Sequence, residues 1–209
     1  MLGIHDYWLF VATGVLLNLT PGQDTLYILG RSIAQGRQTG VASALGISAG
    51  GVVHTLAAAL GLSAVLATSA SAFIALKIAG AVYLVYLGVR MLITRPAPVG
   101  ATDIAALVDM RTAFRQGVLT NVLNPKVALF FLALMPQFID PDSSTKVAAF
   151  LVLGLTFLTT GTAWCFVLAL GASHVRNVFA ARPSALQGLS RVSGALFIFL
   201  GLRLAAGKP

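Results

Sequence analysis

Two stretches decide how this chain is read: Leu17-Asn18-Leu19-Thr20-Pro21-Gly22-Gln23-Asp24 and Asn121-Val122-Leu123-Asn124-Pro125-Lys126. Each sets a Thr or Asn directly before a proline inside a long apolar run, and each follows with an ionisable side chain. Pro21 has no backbone N–H and frees the carbonyl of Leu17; Pro125 does the same for Asn121. In hydrocarbon, freed groups must find partners or line a cavity. Thr20 and Asn124 are good N-caps, and proline is favoured at the first helical position. Each run therefore reads as two half-helices, the second starting inside the apolar layer. Thr20 and Gln23 also fit a capping box, with Gln23 reaching back to the Thr20 amide. A half-helix N-terminus carries partial positive charge and free amides, which suits a carboxylate. Proline kinks often serve packing alone, but two capped breaks, each followed by an intramembrane charge, favour a functional site.

The surrounding composition says where these breaks lie. The 209 residues are 57% hydrophobic and 10% charged, with a mean hydropathy of +0.89. A soluble domain carries about 25% charged residues, so a soluble globule, a disordered chain and a coiled coil are all excluded. Twelve Phe and 21 Gly fit packed membrane helices, where small residues let backbones approach. The net charge is +8, from 14 Lys and Arg against six acidic residues, all Asp. Nucleic-acid binding would need those basic residues on one solvated face. They are scattered singly between apolar runs, where they set topology and meet lipid headgroups. Cys165 is the only cysteine, which rules out an intrachain disulfide or CxxC pair. No GxxxxGK[ST], HExxH or GxSxG motif is present, so no catalytic residue, cofactor or ATP-driven step is expected.

Six runs qualify as spans by length and lack of charge: Trp8–Gly30, Val41–Ala67, Ala72–Ile93, Gly117–Ile139, Val147–Gly171 and Leu186–Ala206. The first lacks a preceding basic region and is too long for a signal peptide, so it is expected to be retained. Arg31 and Arg37 follow span one, Arg90, Arg95, Arg111 and Arg115 follow span three, and Arg176 and Arg182 follow span five. The other face holds Lys146, Arg203 and Lys208, with Lys77 near an end of span three. Positive charge stays inside, which places both termini outside. The expected fold is all-α: six transmembrane helices as two inverted three-helix repeats, 1–93 and 117–209, with helices one and four broken by proline. Segment 94–116 is a cytoplasmic linker. Within it Ile104, Leu107, Val108 and Phe114 recur near helical spacing, which predicts a short interfacial helix serving as a linker or a gate.

Asp24 lies about 16 residues into span one, roughly 24 Å at helical rise, and Lys126 about 9 residues into span four, roughly 14 Å. Buried this way they either pair, directly or through water, or meet the ammonium and carboxylate of a zwitterion. His54 is either a hydrogen-bonded packing residue or a proton carrier, since it titrates near neutral pH. Gly46 and Gly50 form a small-xxx-small pattern that serves close packing, or else lies against the break of span one and leaves substrate room. The candidate substrate site is Thr20, Pro21, Gly22, Gln23, Asp24, Gly50, Asn121, Asn124, Pro125 and Lys126. Asp24 and His54 are the candidate proton carriers. No metal site is predicted.

The motifs resemble the LysE/RhtB amino-acid exporters over essentially the whole chain. The resemblance is carried by Pro21-Gly22-Gln23-Asp24-Thr25-Leu26-Tyr27, Gly36-Arg37-Gln38-Thr39-Gly40, Phe114-Arg115-Gln116-Gly117, Asn124-Pro125-Lys126 and Pro136-Gln137-Phe138. Gln23 departs from the family's usual Pro-Gly-Pro and restores a backbone donor at the break. The resemblance implies export of small neutral amino acids or derivatives, of homoserine, threonine or branched-chain type, across the bacterial inner membrane. It implies an ion gradient, protons by preference, as the driving force. Monomer and homodimer are both compatible with it. Export of a metal or other inorganic cation, found elsewhere in the superfamily, is the alternative. That role wants several ligands together, and the buried Asp24, His54 and Cys165 lie on three different spans.

Overall fold

The structure is a computed structural model that describes residues 2–62, 64, 70–94 and 107–206. Among the described residues the α-helices are α1 (Tyr7–Leu19), α2 (Gln23–Gln35), α3 (Arg37–Ala57), α4 (Ala70–Ile93), α5 (Met110–Val122), α6 (Pro125–Leu129), α7 (Lys146–Leu170), α8 (Ala172–Ala181) and α9 (Pro183–Ala206). A π-helical turn, Ala58–Leu62, extends α3, and another, Phe130–Leu134, extends α6 into a 3₁₀ turn over Met135–Phe138. Among the described residues the fold is all-helical; the only strand-like feature is a bridge between Ile4 and Ile139.

Both prolines break their helices. Thr20 ends α1, and its backbone is extended, as a residue before proline must be. Helix resumes only at Gln23, with Gly22 as an uncapped start. The capping box expected of Thr20 and Gln23 therefore does not form. The Thr20 hydroxyl instead turns back to the Leu16 carbonyl at 2.7 Å and meets Ser193 Oγ of α9 at 2.9 Å. At the second break the expectation holds: Asn124 Oδ1 accepts from the Lys126 N–H at 3.0 Å, with Pro125 opening α6. The chain bends there by 46°.

Against the expected six spans, three helices among the described residues are long and apolar enough to cross a membrane: α3 with its extension, α7, and α9 from Ser184. The bent α5–α6 pair makes a fourth. The first break shortens α1, which stops after 13 residues and counts as a short apolar helix. The second half also begins earlier than expected. Asp109 caps α5, its carboxylate accepting from the Thr112 N–H at 2.9 Å. Phe114 thus belongs to the broken helix rather than to a separate interfacial one, and Ile104 lies outside the described residues. That capping hydrogen bond holds the Asp109 carboxyl below its ordinary pKa.

Glycine seams set the helix spacing. A Cβ on Gly46 of α3 would overlap the Phe114 carbonyl of α5, and one on Gly117 of α5 would overlap the Ser43 carbonyl of α3. Gly50 likewise abuts Asn121. The small-residue pattern of α3 therefore lies against the second broken helix, not the first. Helices α4 and α9 meet in the same way, with Gly88 and Gly194 each facing the other's carbonyl. At the end of the molecule that holds Asp6 and Asp140, an aromatic cluster fills the core: Phe10 packs on Phe130 and Phe138, and Phe130 stacks on Phe157 at 4.5 Å. Arg203 Nη2 donates to Asp6 Oδ2 at 2.8 Å and ties α9 to the start of α1.

Candidate functional site

Each carbonyl freed by a proline is met by a basic side chain from the other half of the chain. Lys126 Nζ donates to the Leu17 carbonyl at 2.6 Å and to the Thr20 carbonyl at 2.7 Å. The second freed carbonyl, Asn121 O, accepts from the Asn124 N–H at 3.0 Å and lies 3.1 Å from His54 Nε2; a carbonyl only accepts, so the second contact requires the tautomer with the proton on Nε2. The His54 ring also stacks on Phe131, with centroids 5.6 Å apart. The breaks therefore brace each other through Lys126 and His54.

Asp24 sits in the first turn of α2, on the far side of the break from Thr20. Its Oδ2 accepts from Asn121 Nδ2 at 2.8 Å. It makes no ion pair with Lys126; the ion pairs between described residues include those of Asp6 with His5 and Arg203. Lys126 has two of its three N–H groups committed to backbone carbonyls, which removes the reason for a direct pair.

Asp24 lines a cavity of about 50 Å³ enclosed by α2, α3, α5, α7 and the second break, room for a few waters. Asn18, Ser48, Asn121, Asn124, Lys126 and Trp164 supply its polar lining. Three buried polar atoms here lack a hydrogen-bond partner: Asp24 Oδ1, Asn121 Oδ1 and Trp164 Nε1. Asn124 lies beside the Asp24 carboxylate without closing a well-formed bond to Oδ1. Opposite, Thr162 Oγ1 donates to Ser48 Oγ at 2.9 Å and Asn18 Nδ2 to Thr160 Oγ1 at 3.3 Å, which pins α7 to α3 and α1.

A second, wider cavity of about 350 Å³ lies across the breaks, between α4 and α9, and reaches Arg90, Thr94 and Ser190. Gly22, Asn124 and Lys126 line both spaces and so form the partition between them. Of the predicted site residues, Gly22, Asp24, Asn121, Asn124 and Lys126 meet at the smaller cavity, while Thr20, Pro21, Gln23 and Pro125 face the wider one. Gly50 faces neither: it is packed on Asn121, and its neighbour Gly51 lines the smaller cavity instead. Among the described residues no group of three or more His, Cys, Asp or Glu is placed to hold a metal ion.

The family model described as LysE type translocator matches residues 15–208. The chain belongs to this family. An uncharacterized membrane protein of Pseudomonas aeruginosa is 34% identical over 98% of this chain and 96% of its own length. A homoserine/homoserine lactone efflux protein of Salmonella typhimurium is 31% identical over 97% of this chain and 98% of its own. A leucine efflux protein of Salmonella choleraesuis is 25% identical over 97% and 96%. No solved structure gives a significant match. Apolar helices and membrane-protein relatives together make this LysE-type chain a multi-pass membrane protein.

What the sequence did not single out in this LysE-type chain is the wall from α7. Trp164 and Thr162 lie in an apolar run where an aromatic and a threonine read as packing. Their one sequence signal is the unusual density of Thr and Gly over Thr156–Thr162, a polar stripe within a membrane helix.

Proposed function

We propose that this chain is a secondary exporter of small amino acids or close derivatives, in which an ammonium group binds between the two broken helices. The observation that carries the proposal is a pair of buried acceptor oxygens without partners, Asp24 Oδ1 and Asn121 Oδ1, on two residues that line one cavity. A buried carboxylate oxygen left unpaired is costly, and an ammonium supplies both the charge and several N–H donors. The named efflux relatives support an amino-acid cargo.

In this proposal the chain forms six spans as two inverted three-helix halves, 1–93 and 117–209, that rock about the breaks. The support is the corresponding positions of the breaks and the reciprocal bracing of Leu17 O and Asn121 O. Both termini lie outside the bacterial inner membrane, by the distribution of Arg and Lys. Export is coupled to proton entry, with Asp24 as the carrier: the same Oδ1 can hold a proton or an ammonium, not both. His54 stays committed to Asn121 O, and Lys126 positions the break. The cavity as it stands admits a head group, and a whole amino acid enters as the walls part during the cycle. Metal export would require clustered ligands, which Asp24, His54 and Cys165 do not provide.

The test is efflux from cells preloaded with labelled leucine, homoserine or threonine, comparing wild type with Asp24→Asn. Loss of efflux with normal membrane levels of the variant is expected. Undiminished efflux would remove Asp24 and its cavity from the proposal.

A further inference from the structure

We infer that Trp164 is a specificity-determining residue, its indole N–H donating to an oxygen of the substrate while Asp24 and Asn121 hold the ammonium. A buried tryptophan N–H nearly always finds an acceptor. Trp164 Nε1 is buried without one, and Trp164 lines the same cavity as Asp24 and Asn121, each of which has an unpaired buried oxygen. The three atoms are complementary to one kind of ligand: N–H donors at one end and an acceptor oxygen at the other. The cation at this cavity, Lys126, has two of its N–H groups on Leu17 O and Thr20 O, so the acceptor end is read chiefly by a neutral donor. A neutral donor accepts the oxygen of an amide or ester as well as that of a carboxylate. A site built around a cation would favour the carboxylate strongly. The inference rests on the export function proposed above and assigns the second pole of that site.

The experiment is calorimetric titration of the purified full-length protein in detergent with three probes: L-leucine, L-leucinamide and isopentylamine, the last keeping the ammonium and alkyl chain without any oxygen. Wild type should bind leucine and leucinamide with similar affinity and isopentylamine roughly tenfold more weakly, the worth of one hydrogen bond. Trp164→Phe should weaken leucine and leucinamide by about tenfold and leave isopentylamine unchanged. Trp164→His, which keeps a ring N–H, should recover part of the loss. A purely structural role for the indole would weaken all three probes together, and that result overturns the inference. So does a Trp164→Phe protein that binds all three as wild type does; either result leaves the export proposal standing. Wild-type protein that binds none of the probes, from cells that also show no efflux of leucine, homoserine or threonine, defeats the export proposal and this inference with it.

Discussion

Lys126 Nζ donates to the Leu17 carbonyl at 2.6 Å, and that carbonyl is the one Pro21 leaves without a helical donor. The lysine comes from the second broken helix and the carbonyl from the first. Its counterpart runs the other way, His54 from the first half meeting Asn121 O beneath Pro125. Two defects that would each be costly in hydrocarbon thus become a joint between halves. A joint made of side chains, unlike continuous helix, can be remade in a second arrangement.

Lys126→Met should therefore damage more than transport. It leaves Leu17 O and Thr20 O without donors, at about 1–3 kcal/mol for each buried acceptor. A melting temperature lowered by several degrees in detergent, together with lost efflux, is expected; Lys126→Arg, which keeps donors on a bulkier head, should melt higher than the Met variant. A Met variant as stable as wild type would show that the two carbonyls find other partners.

Asp24→Asn should behave differently. The Asn121 Nδ2 hydrogen bond, 2.8 Å to Asp24 Oδ2, has an acceptor oxygen in either side chain, so the melting curve should hardly move. In the proposed site, removing the charge that would face an ammonium costs about 2–5 kcal/mol of interaction, which puts the fall in efflux on the order of thirtyfold or more. Comparing the two variants by melting and by efflux separates bracing from binding.

The glycine seam offers a stability test remote from the cavity chemistry. A methyl at Gly46 would overlap the Phe114 backbone oxygen, which cannot swing aside as a side-chain tip can. Gly46→Ala should cost about 1–3 kcal/mol by overpacking. Gly188, also helical, has open space where a Cβ would go, so Gly188→Ala should be neutral or gain about 0.5–1 kcal/mol. Thermal unfolding of both variants checks the contrast, and equal effects would mean that α3 and α5 do not pack this closely.

The tie between Asp6 and Arg203 should be felt in acid. Its hydrogen bond from Arg203 holds the Asp6 carboxyl below its ordinary value, so the stabilisation is fully present above the unfolded pKa. It is lost as pH falls through the lowered folded pKa. Wild type should lose its small margin over Asp6→Asn when melting curves at neutral pH are compared with curves below pH of about 3.5. A margin that persists in acid would assign it to something other than this ion pair.

The backbone consequences of proline were legible from the sequence, because Pro21 and Pro125 act on atoms at fixed positions in their own chain. Asp24 and Lys126 were legible as a charge in oil must be. Long-range partners were not. The capping box at Thr20 satisfied every local rule, yet Ser193, 173 residues away in sequence, and the Leu16 carbonyl took the hydroxyl instead. Gly46 and Gly50 announced a close approach without saying to which helix. Trp164 carried no local signal: whether an indole N–H lies in lipid, in packing or on a cavity depends on tertiary neighbours. The π turns at Ala58–Leu62 and Phe130–Leu134 likewise have no proline or glycine pattern in common to mark them.

His54 gives the sharpest test of how coupling is arranged. Its Nε2 proton is committed to Asn121 O at 3.1 Å, and its ring is held flat against Phe131. In that geometry its task is to give the carbonyl beneath Pro125 a second donor beside the Asn124 N–H, a task that a glutamine amide can take over. His54→Gln should then retain most efflux and keep the wild-type dependence of efflux on pH between about 6 and 8, the range in which an ordinary histidine titrates. His54→Leu, which offers no donor, leaves Asn121 O with the Asn124 N–H alone and should lower stability by about 0.5–1.5 kcal/mol, and efflux with it. If His54→Gln instead abolishes the pH dependence while efflux down a substrate gradient persists, the imidazole itself carries the coupling proton, and Asp24 serves the ammonium alone.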